Sequence, residues 1–456
     1  MPAQSETIAA ISTAWGEAGI AIVRMSGPDA VPLARTVLRM GPRGFPPPRE
    51  MRLASLLDEA DNAIDQVLVV HFAAPNSFTG EDIVEIHTHG GTLVVQLCLE
   101  GLLRRGARLA EPGEFTRRAF LNGRMDLSQA EGVLGIIRSR SAEALRAAAR
   151  TLSGELSEFV IQIRNELLDL QGSLEVGLDF PEGEAPAVDS EDLRDSLETL
   201  KISLHDLEDR CSLGVLLREG VRVVISGRPN VGKSSLLNAL LKQSRAIVTA
   251  VPGTTRDVIE EAITYRGVPI RLADTAGIRA PADEVEASGI QRTQMALKQA
   301  DICLWLLDGS RPLDDADRDF IRNLGRQESV IVLNKADKPS AVTEEEVHAI
   351  VPEGRVLSIS AKTGEGLEAL KEAIVAIATE GGSLDAGLNV TARQLSEIRT
   401  CARAITEAQK VISEGMGQDV ATGLLGAARM ALERMLGISG GDDLLDSIFS
   451  RFCVGK

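Results

Sequence analysis

The residues best suited to chemistry lie in Gly227-Arg-Pro-Asn-Val-Gly-Lys-Ser-Ser235, just after the apolar run Val221–Ile225. Gly227 and Gly232 let the backbone curl so that successive N–H groups point into one concavity, which suits a phosphate. Lys233 can reach the β- and γ-phosphates, and the Ser234 hydroxyl can ligate Mg²⁺. Asn230, Val231, Gly232 and Ser235 supply the rest of the cradle, and the apolar helix Leu236–Leu241 follows. The loop calls for a nucleoside triphosphate without naming its base.

The base is named further along. The apolar strand Val330–Leu333 ends in Asn334-Lys-Ala-Asp337. A carboxylate at 337 can accept from the ring N–H and the exocyclic amine of guanine, a donor pair that adenine lacks. The Lys335 stem can cover the base, and Asn334 can tie this loop to the phosphate loop. Ser360-Ala-Lys362, after the strand Val356–Ile359, completes the pocket through backbone N–H groups and the Lys362 stem. Asp274-Thr-Ala-Gly277 follows the strand Ile270–Ala273, so Asp274 would hold Mg²⁺ through water and the Gly277 N–H would sense the γ-phosphate, with Thr275 and Ala276 in the same turn. In Gly253-Thr-Thr-Arg-Asp257, Thr255 offers the second hydroxyl to Mg²⁺, beside Thr254. These elements, in this order and each at a strand end, predict a GTPase domain.

A glutamine that orients the attacking water commonly follows the glycine of such a turn. Here the position is Ile278, which cannot hold a water. Another polar group must act, and Asp283, Glu284 and Glu286 are the candidates. Asn230 adds a second possibility: its amide oxygen could coordinate a monovalent cation that bridges the phosphates, replacing the charge of an arginine finger.

The chain has 456 residues, enough for two or three domains. Its five cysteines (98, 211, 303, 401 and 453) show no metal spacing, which suits a reducing cytosol. No apolar run approaches the roughly eighteen residues a bilayer span needs. Met1–Ile11 carries Glu6 and no basic residue, so neither a secretory signal nor a transit peptide is expected. A net charge of −17 argues against unspecific nucleic-acid binding. The charge is uneven: residues 101–150 hold ten arginines against five acids, and residues 151–210 hold sixteen acids against four bases. Arg104, Arg105, Arg108, Arg117, Arg118, Arg138 and Arg140 could form a local surface for an anionic ligand, or simply solvated helix faces. One Tyr, two Trp and ten Phe are too few for a base-stacking platform.

These patterns predict a multidomain α/β plus α protein. Residues 1–120 alternate strands (Thr7–Ile11, Ile20–Met25, Gln66–Phe72, Asp82–His87) with helices (Ala30–Leu38, Leu93–Arg105), giving a small α/β or α+β domain. Residues 121–218 read as helical, over Ser128–Ser139 and then Glu143–Asp179. A Ras-like P-loop GTPase domain occupies 219–379. Helical periodicity resumes across 380–456 through Leu436, with a last helix over Asp443–Phe452. Neither helical stretch can bury its apolar face alone. Packing 121–218 against 380–456 makes the GTPase an insertion in one helical domain, so that switch movement passes into those helices.

Glu85, His87 and His89 alternate on one strand and share a face. They admit a metal reading, though the Gly90-Gly91 turn equally suits a ligand in close approach. Arg124, Asp126 and Asp179 are candidates for a buried pair. The terminal Arg451-Phe-Cys-Val-Gly-Lys456 has a thiol four residues from its end, but Gly455 and Lys456 do not fit a prenylation box. The cysteine reads instead as reactive, or as docked with Lys456 in a pocket.

The phosphate loop, Gly253–Asp257, Asp274–Gly277, Pro75-Asn-Ser-Phe-Thr-Gly-Glu-Asp82, Gly113-Glu-Phe-Thr-Arg-Arg-Ala-Phe-Leu-Asn122 and the tail Phe452–Lys456 together resemble the MnmE (TrmE) family of bacterial tRNA modification GTPases. The resemblance spans essentially the whole chain. It implies a cytoplasmic homodimer formed through N-terminal domains similar to folate-binding aminomethyltransferases. It also implies a flavoprotein partner, MnmG, with which carboxymethylaminomethyl-type groups are built at C5 of the wobble uridine of certain tRNAs. GTP hydrolysis would be potassium-dependent, driven by pairing of the two GTPase domains.

Residue by residue, the resemblance makes Asn230 the side-chain potassium ligand, joined by backbone carbonyls of Thr249, Val251 and Thr254. Glu286 becomes the carboxylate that organises the attacking water, and Cys453, the family's tail cysteine, joins it among the catalytic candidates. Arg24, Glu85, Arg124 and Lys456 would contact a tetrahydrofolate derivative, a 5-formyl or 5,10-methylene species. Many members have lysine where this chain has Arg124, a change that keeps charge but not hydrogen-bond geometry. Pro252 stiffens another variable position. A GTPase switch of ribosome assembly and a folate-dependent transferase with a merely regulatory GTPase are the alternative classes. The first is disfavoured by the acidic charge and the thiol-bearing tail.

Overall fold

The structure, a computed structural model, describes residues 6–179, 190–244, 261–274, 300–322, 328–414, 417–439 and 441–456. The chain divides into two compact units. One comprises Met1–Leu134, Thr151–Ser203 and Ser396–Lys456, and the other Gly135–Arg150 with Leu204–Leu395.

The first unit opens with β1 (Ile8–Ile11), β2 (Ala18–Ser26), α1 (Ala30–Val37), β3 (Leu38–Met40), β4 (Met51–Leu57), β5 (Ala63–Phe72), β6 (Ile83–Gly90), α2 (Thr92–Arg104), β7 (Arg108–Leu109) and α3 (Glu114–Leu121). Seven strands form one sheet in the order β3-β4-β5-β6-β2-β1-β7. β3, β4 and β7 go beyond the predicted strands. The first two are short or only partly alternating in polarity, and β7 is a two-residue bridge. Alternate residues of the central strands (Val23, Met25, Val67, Val69, Val84, Ile86) are buried in one core with residues of α1 and α2. The intervening residues, Arg24, Glu85 and His87 among them, point to the other face. Ile20, Met51, Leu53 and Leu68 are exposed, and Leu53 and Leu68 are register partners on neighbouring strands.

Helices follow: α4 (Leu127–Arg138), α5 (Ala142–Ser153), α6 (Glu155–Asp179) and α7 (Ser190–Glu219). The continuous helical run expected over Glu143–Asp179 is two helices, because the chain turns at Gly154, with φ +98°. Arg124 and Asp126 form no buried pair. Arg124 is exposed, while Asp126 and Gln129 exchange side-chain-to-backbone hydrogen bonds of 3.0 Å at the start of α4. The side chain of Asp179 lies outside the described residues.

The second unit contains β8 (Val221–Gly227), α8 (Lys233–Ser244), β9 (Glu261–Tyr265), β10 (Val268–Asp274), β11 (Ile302–Asp308), α9 (Asp315–Arg322), β12 (Ser329–Asn334), α10 (Glu344–His348), β13 (Arg355–Ser358) and α11 (Leu367–Ala378). The sheet order is β13-β12-β11-β8-β10-β9, parallel except for the β9–β10 hairpin. Its strands are buried on both faces: Val223 and Ile225 belong to one core, Val224 and Cys303 to another. Because β8, β10, β11 and β12 are parallel, the loops that follow them leave from one edge, where ligands of doubly wound sheets bind.

After this sheet come α12 (Ala392–Glu414), α13 (Gln418–Leu436) and α14 (Asp442–Phe449). The last helix stops three residues short of the expected Phe452, and the tail leaves it as turns. In the first unit α13 packs on α6, as the two unpaired apolar faces require. Glu433 of α13, 8% exposed at its side chain, takes Arg164 of α6 at 3.0 Å and Arg429 at 2.7 Å. Among the described residues, no helix is long and apolar enough to cross a membrane.

Candidate functional site

Three loops at the carboxyl edge of the parallel sheet are joined by side chains. The phosphate loop leads straight into α8, whose first turn holds Lys233, Ser234 and Ser235, so the helix N-terminus faces the same concavity. Lys233 Nζ donates to the carbonyls of Gly227 (2.8 Å) and Arg228 (2.9 Å). Asn230 sits at φ +67°, a left-handed conformation that asparagine tolerates better than most side chains. Arg228 is fixed by Asp314 at 2.7 Å and by the nearly buried Asp317 at 3.1 Å. Its guanidinium pulls the Asp314 pKa down to about 2.

Asn334, 2% exposed, joins this loop to the other two. Its Nδ2 donates to Val231 O at 2.8 Å, and its Oδ1 accepts from Ala361 N at 3.0 Å. Gly232 is packed tightly under it. A Cβ at 232 would stand 2.3 Å from Asn334 Nδ2, and φ there is +104°. Asp337 is exposed, and the buried Ser360 donates to its Oδ1 at 2.8 Å. That hydrogen bond lowers the Asp337 pKa, so the group is a carboxylate at neutral pH, an acceptor for a donor pair. Ser360, Ala361 and the exposed Lys362 lie in the turn that follows β13. Lys335 Nζ reaches Asp308 Oδ2 at 2.5 Å.

Asn230, Val231, Gly232, Lys233, Ser234, Ser235, Asn334, Lys335, Asp337, Ser360, Ala361 and Lys362 thus lie on the loops of one sheet edge. Asp274 ends β10 beside β8, opposite Ile225, but its side chain is outside the described residues. So are Thr249, Val251, Thr254, Thr255, Thr275, Ala276, Gly277 and Glu286, with Asp283 and Glu284. Sequence reasoning missed Asp308, Arg228 and the Asp314–Asp317 pair. Asp308 left one signal, a lone carboxylate closing the apolar strand Ile302–Leu307.

The second cluster is in the first unit. Arg24 and Glu85 are register partners on β2 and β6, joined by two guanidinium contacts to Oε1 of 2.8 and 2.7 Å. The Arg24 guanidinium lies 5.9 Å from the Phe78 ring and 5.8 Å from the Phe115 ring. The tail docks here. Ser12 Oγ donates to Gly455 O at 3.1 Å, Gly113 N donates to Cys453 O at 3.4 Å, and a Cβ at 455 would lie 2.3 Å from Ile11 O. Lys456 is half-buried, and its pKa is lowered by burial and then by the Arg24 charge, with Glu85 opposing. Arg24, Glu85 and Lys456 are therefore brought together. Arg124 is exposed, with its stem against Gly80 in the segment that carries Phe78.

Cys453 is the one exposed thiol; Cys98, Cys211, Cys303 and Cys401 are buried. Burial pushes Cys98, Cys211 and Cys401 up to about 12 and Cys303 to about 11, which leaves them inert. The histidines diverge: His87 faces Glu85 at 3.3 Å, whereas His89 pairs with Asp65 at 2.6 Å. No group of three metal-ligating side chains occurs among the described residues. The proposed arginine surface is also largely occupied. Arg104 pairs with Glu59, Arg108 with Glu6 and Glu114, Arg117 with Asp446, and Arg118 with Glu81 and Glu114.

Known proteins match the chain from end to end. The family described as "GTP-binding protein TrmE N-terminus" matches residues 7–124, and that described as "MnmE helical domain" matches residues 127–453. The tRNA modification GTPase MnmE of Heliobacterium modesticaldum is 42% identical over 465 residues, covering 99% of each chain. The protein of the same name from Symbiobacterium thermophilum is 43% identical over 457 residues, again covering 99% of each. That of Thermotoga maritima is 41% identical, covering 99% of this chain and 100% of its own.

Replacing Gly232 with alanine forces a side chain into a left-handed residue packed against Asn334. Titration with a fluorescent guanine nucleotide should show affinity about tenfold weaker or worse. Unchanged affinity would mean that the loop geometry does not set nucleotide binding.

Proposed function

The chain belongs to the MnmE (TrmE) family of tRNA modification GTPases, and from that premise we propose how it works. It is a GTP hydrolase acting in tRNA modification. In our reading it is potassium-stimulated, works in the cytoplasm as a homodimer with the flavoprotein MnmG, and installs carboxymethylaminomethyl-type groups at C5 of wobble uridines. Three structural parts serve this: a folate-binding and dimerisation domain over 1–120, a helical domain over 121–218 and 380–456, and the GTPase domain over 219–379. The observation that carries the reading is similarity across 99% of both chains, so the GTPase loops and the tail-bound cation cluster belong to one polypeptide.

Lys233 and the loop N–H groups bind the phosphates of GTP, while Asp337 accepts from the guanine edge and Asn334 keeps the two loops in register. Ser234, Thr255 and, through water, Asp274 would hold Mg²⁺, which would neutralise charge on the phosphate oxygens. Asn230 fits a potassium ligand in that its left-handed backbone sets it within the phosphate loop, with the carbonyls of Thr249, Val251 and Thr254 as its partners. Potassium held there would supply positive charge at the phosphates. Glu286 orients the attacking water that Ile278 cannot hold.

Arg24, Lys456 and Arg124 suit the carboxylates and carbonyl oxygens of a tetrahydrofolate derivative, and the partly buried Phe78 supplies an apolar ring face. Glu85 holds Arg24 in place. Cys453 is exposed beside this cluster, where a reactive thiol is of use. The apolar sheet face carrying Ile20, Met51, Leu53 and Leu68 supports self-association. A monomer in sedimentation would remove the homodimer.

Glu286→Ala should slow hydrolysis about a hundredfold or more while sparing GTP affinity, and replacing potassium with sodium should depress the rate of the unaltered protein. An unchanged rate in the first assay removes Glu286, and equal rates in the two salts remove the cation.

Deleting Gly455 and Lys456 should weaken binding of 5-formyltetrahydrofolate by about tenfold or more, read by calorimetry. Equal affinity would detach the tail from the folate site.

A strain lacking this chain should show unmodified C5 positions at wobble uridines by mass spectrometry of its tRNA. Normal modification there would overturn the proposed function.

A further inference from the structure

The strand register brings one more carboxylate to the nucleotide loops. β11 ends at Asp308, which lies opposite Asn334 in the parallel ladder, so its side chain reaches Lys335, the next residue along. Lys335 Nζ is 2.5 Å from Asp308 Oδ2 and 3.1 Å from the backbone carbonyl oxygen of Asn230. The other carboxylate oxygen, Oδ1, accepts from Ser310 Oγ at 2.6 Å and from Ser310 N at 3.1 Å. Asp308 is 13% exposed at its side chain, and Lys335 26%. Burial works to raise the Asp308 pKa. The hydrogen bonds from Lys335 and Ser310 outweigh it and hold the carboxyl below its ordinary value.

This arrangement meets a specific need. A lysine stem that walls a purine pocket is flexible, and a free one gives up rotamer entropy when it is fixed. Lys335 and Asn230 are also both non-glycine residues in left-handed backbone, at φ +73° and +67°. Such conformations persist only where neighbours over-determine them. The chain Ser310–Asp308–Lys335–Asn230 links both residues and ties the end of β11 to the base loop and the phosphate loop.

We propose that Asp308 is a positioning residue for guanine-nucleotide binding. It acts through Lys335, holding the stem as a wall of the base pocket and the ammonium on the Asn230 carbonyl. The proposal rests on reading Asn334–Asp337 as the guanine-binding loop. Without the carboxylate the lysine loses its fixed anchor, and nucleotide binding must order it.

The test is a double-mutant cycle in the full-length chain, read as affinity for fluorescent GTP and GDP. Asp308→Asn keeps the shape and should weaken binding about tenfold, the scale of a lost charge-assisted hydrogen bond. Lys335→Met keeps the apolar stem and should weaken it to a similar degree. The double variant should bind no worse than Lys335→Met alone. Full additivity of the two effects, or unchanged affinity in Asp308→Asn, overturns the proposal. If circular dichroism shows that Asp308→Asn is unfolded, Ser310→Ala takes its place. Its loss should be about threefold, a weaker neutral hydrogen bond, and should vanish in the Lys335→Met background. Asp337→Asn separates the two ideas. If it lowers GTP affinity and raises that for xanthosine triphosphate, the guanine-loop reading stands, and additivity in the cycle then sinks the role of Asp308 alone. If it changes neither, the guanine-loop reading falls first.

Discussion

Asn334 is almost wholly buried, and it uses both ends of its amide on the backbones of two other loops, Val231 O and Ala361 N. Removing either partner would leave a buried polar group unsatisfied, at a cost of about 1–3 kcal/mol. The surroundings are built around this side chain. Gly232 carries no Cβ because one would overlap the amide, and the parallel pairing of β11 with β12 sets Asp308 beside Lys335. Ser360 emerges from the next strand within reach of Asp337. The loops read as phosphate cradle and base pocket are thus held in one relative position, an arrangement that would lower the ordering cost of nucleotide binding.

The first unit follows a similar logic with different chemistry. Helices α1 and α2 cover one face of its sheet, while the other face carries exposed apolar residues and the Arg24–Glu85 pair, with Phe115 of α3 packed beside it. The carboxy-terminal residues dock beside that pair through hydrogen bonds from Gly113 N and Ser12 Oγ to the carbonyls of Cys453 and Gly455, with Gly455 fitted against the end of β1. A half-buried Lys456 beside Arg24 is electrostatically costly, as its lowered pKa shows, and an anionic group would relieve it.

Overall acidity conceals how locally charges are managed. Arginines concentrated over residues 101–150 looked available as a block, yet four are engaged by Glu6, Glu59, Glu81, Glu114 and Asp446. Several of these partners are distant in sequence, and one lies in the last helix. Composition cannot reveal such pairing, because sequence distance carries no information about which charges fold together.

The nucleotide loops were legible in the sequence, because their chemistry needs particular residues at fixed offsets from apolar strands. Gly232, Lys233, Asn334 and Asp337 follow that rule, and so does the alternation that places Glu85, His87 and His89 on one face. The absence of a glutamine at Ile278 was equally plain. Tertiary structure alone decided the rest. Asp308 meets Lys335 through inter-strand register, which leaves no trace within either segment, and Lys456 meets Arg24 across more than four hundred residues. The break at Gly154 was missed because helical periodicity continues on both sides of it, so apolar spacing cannot show a change of axis. Local pattern determined which groups exist. Long-range packing decided which of them touch.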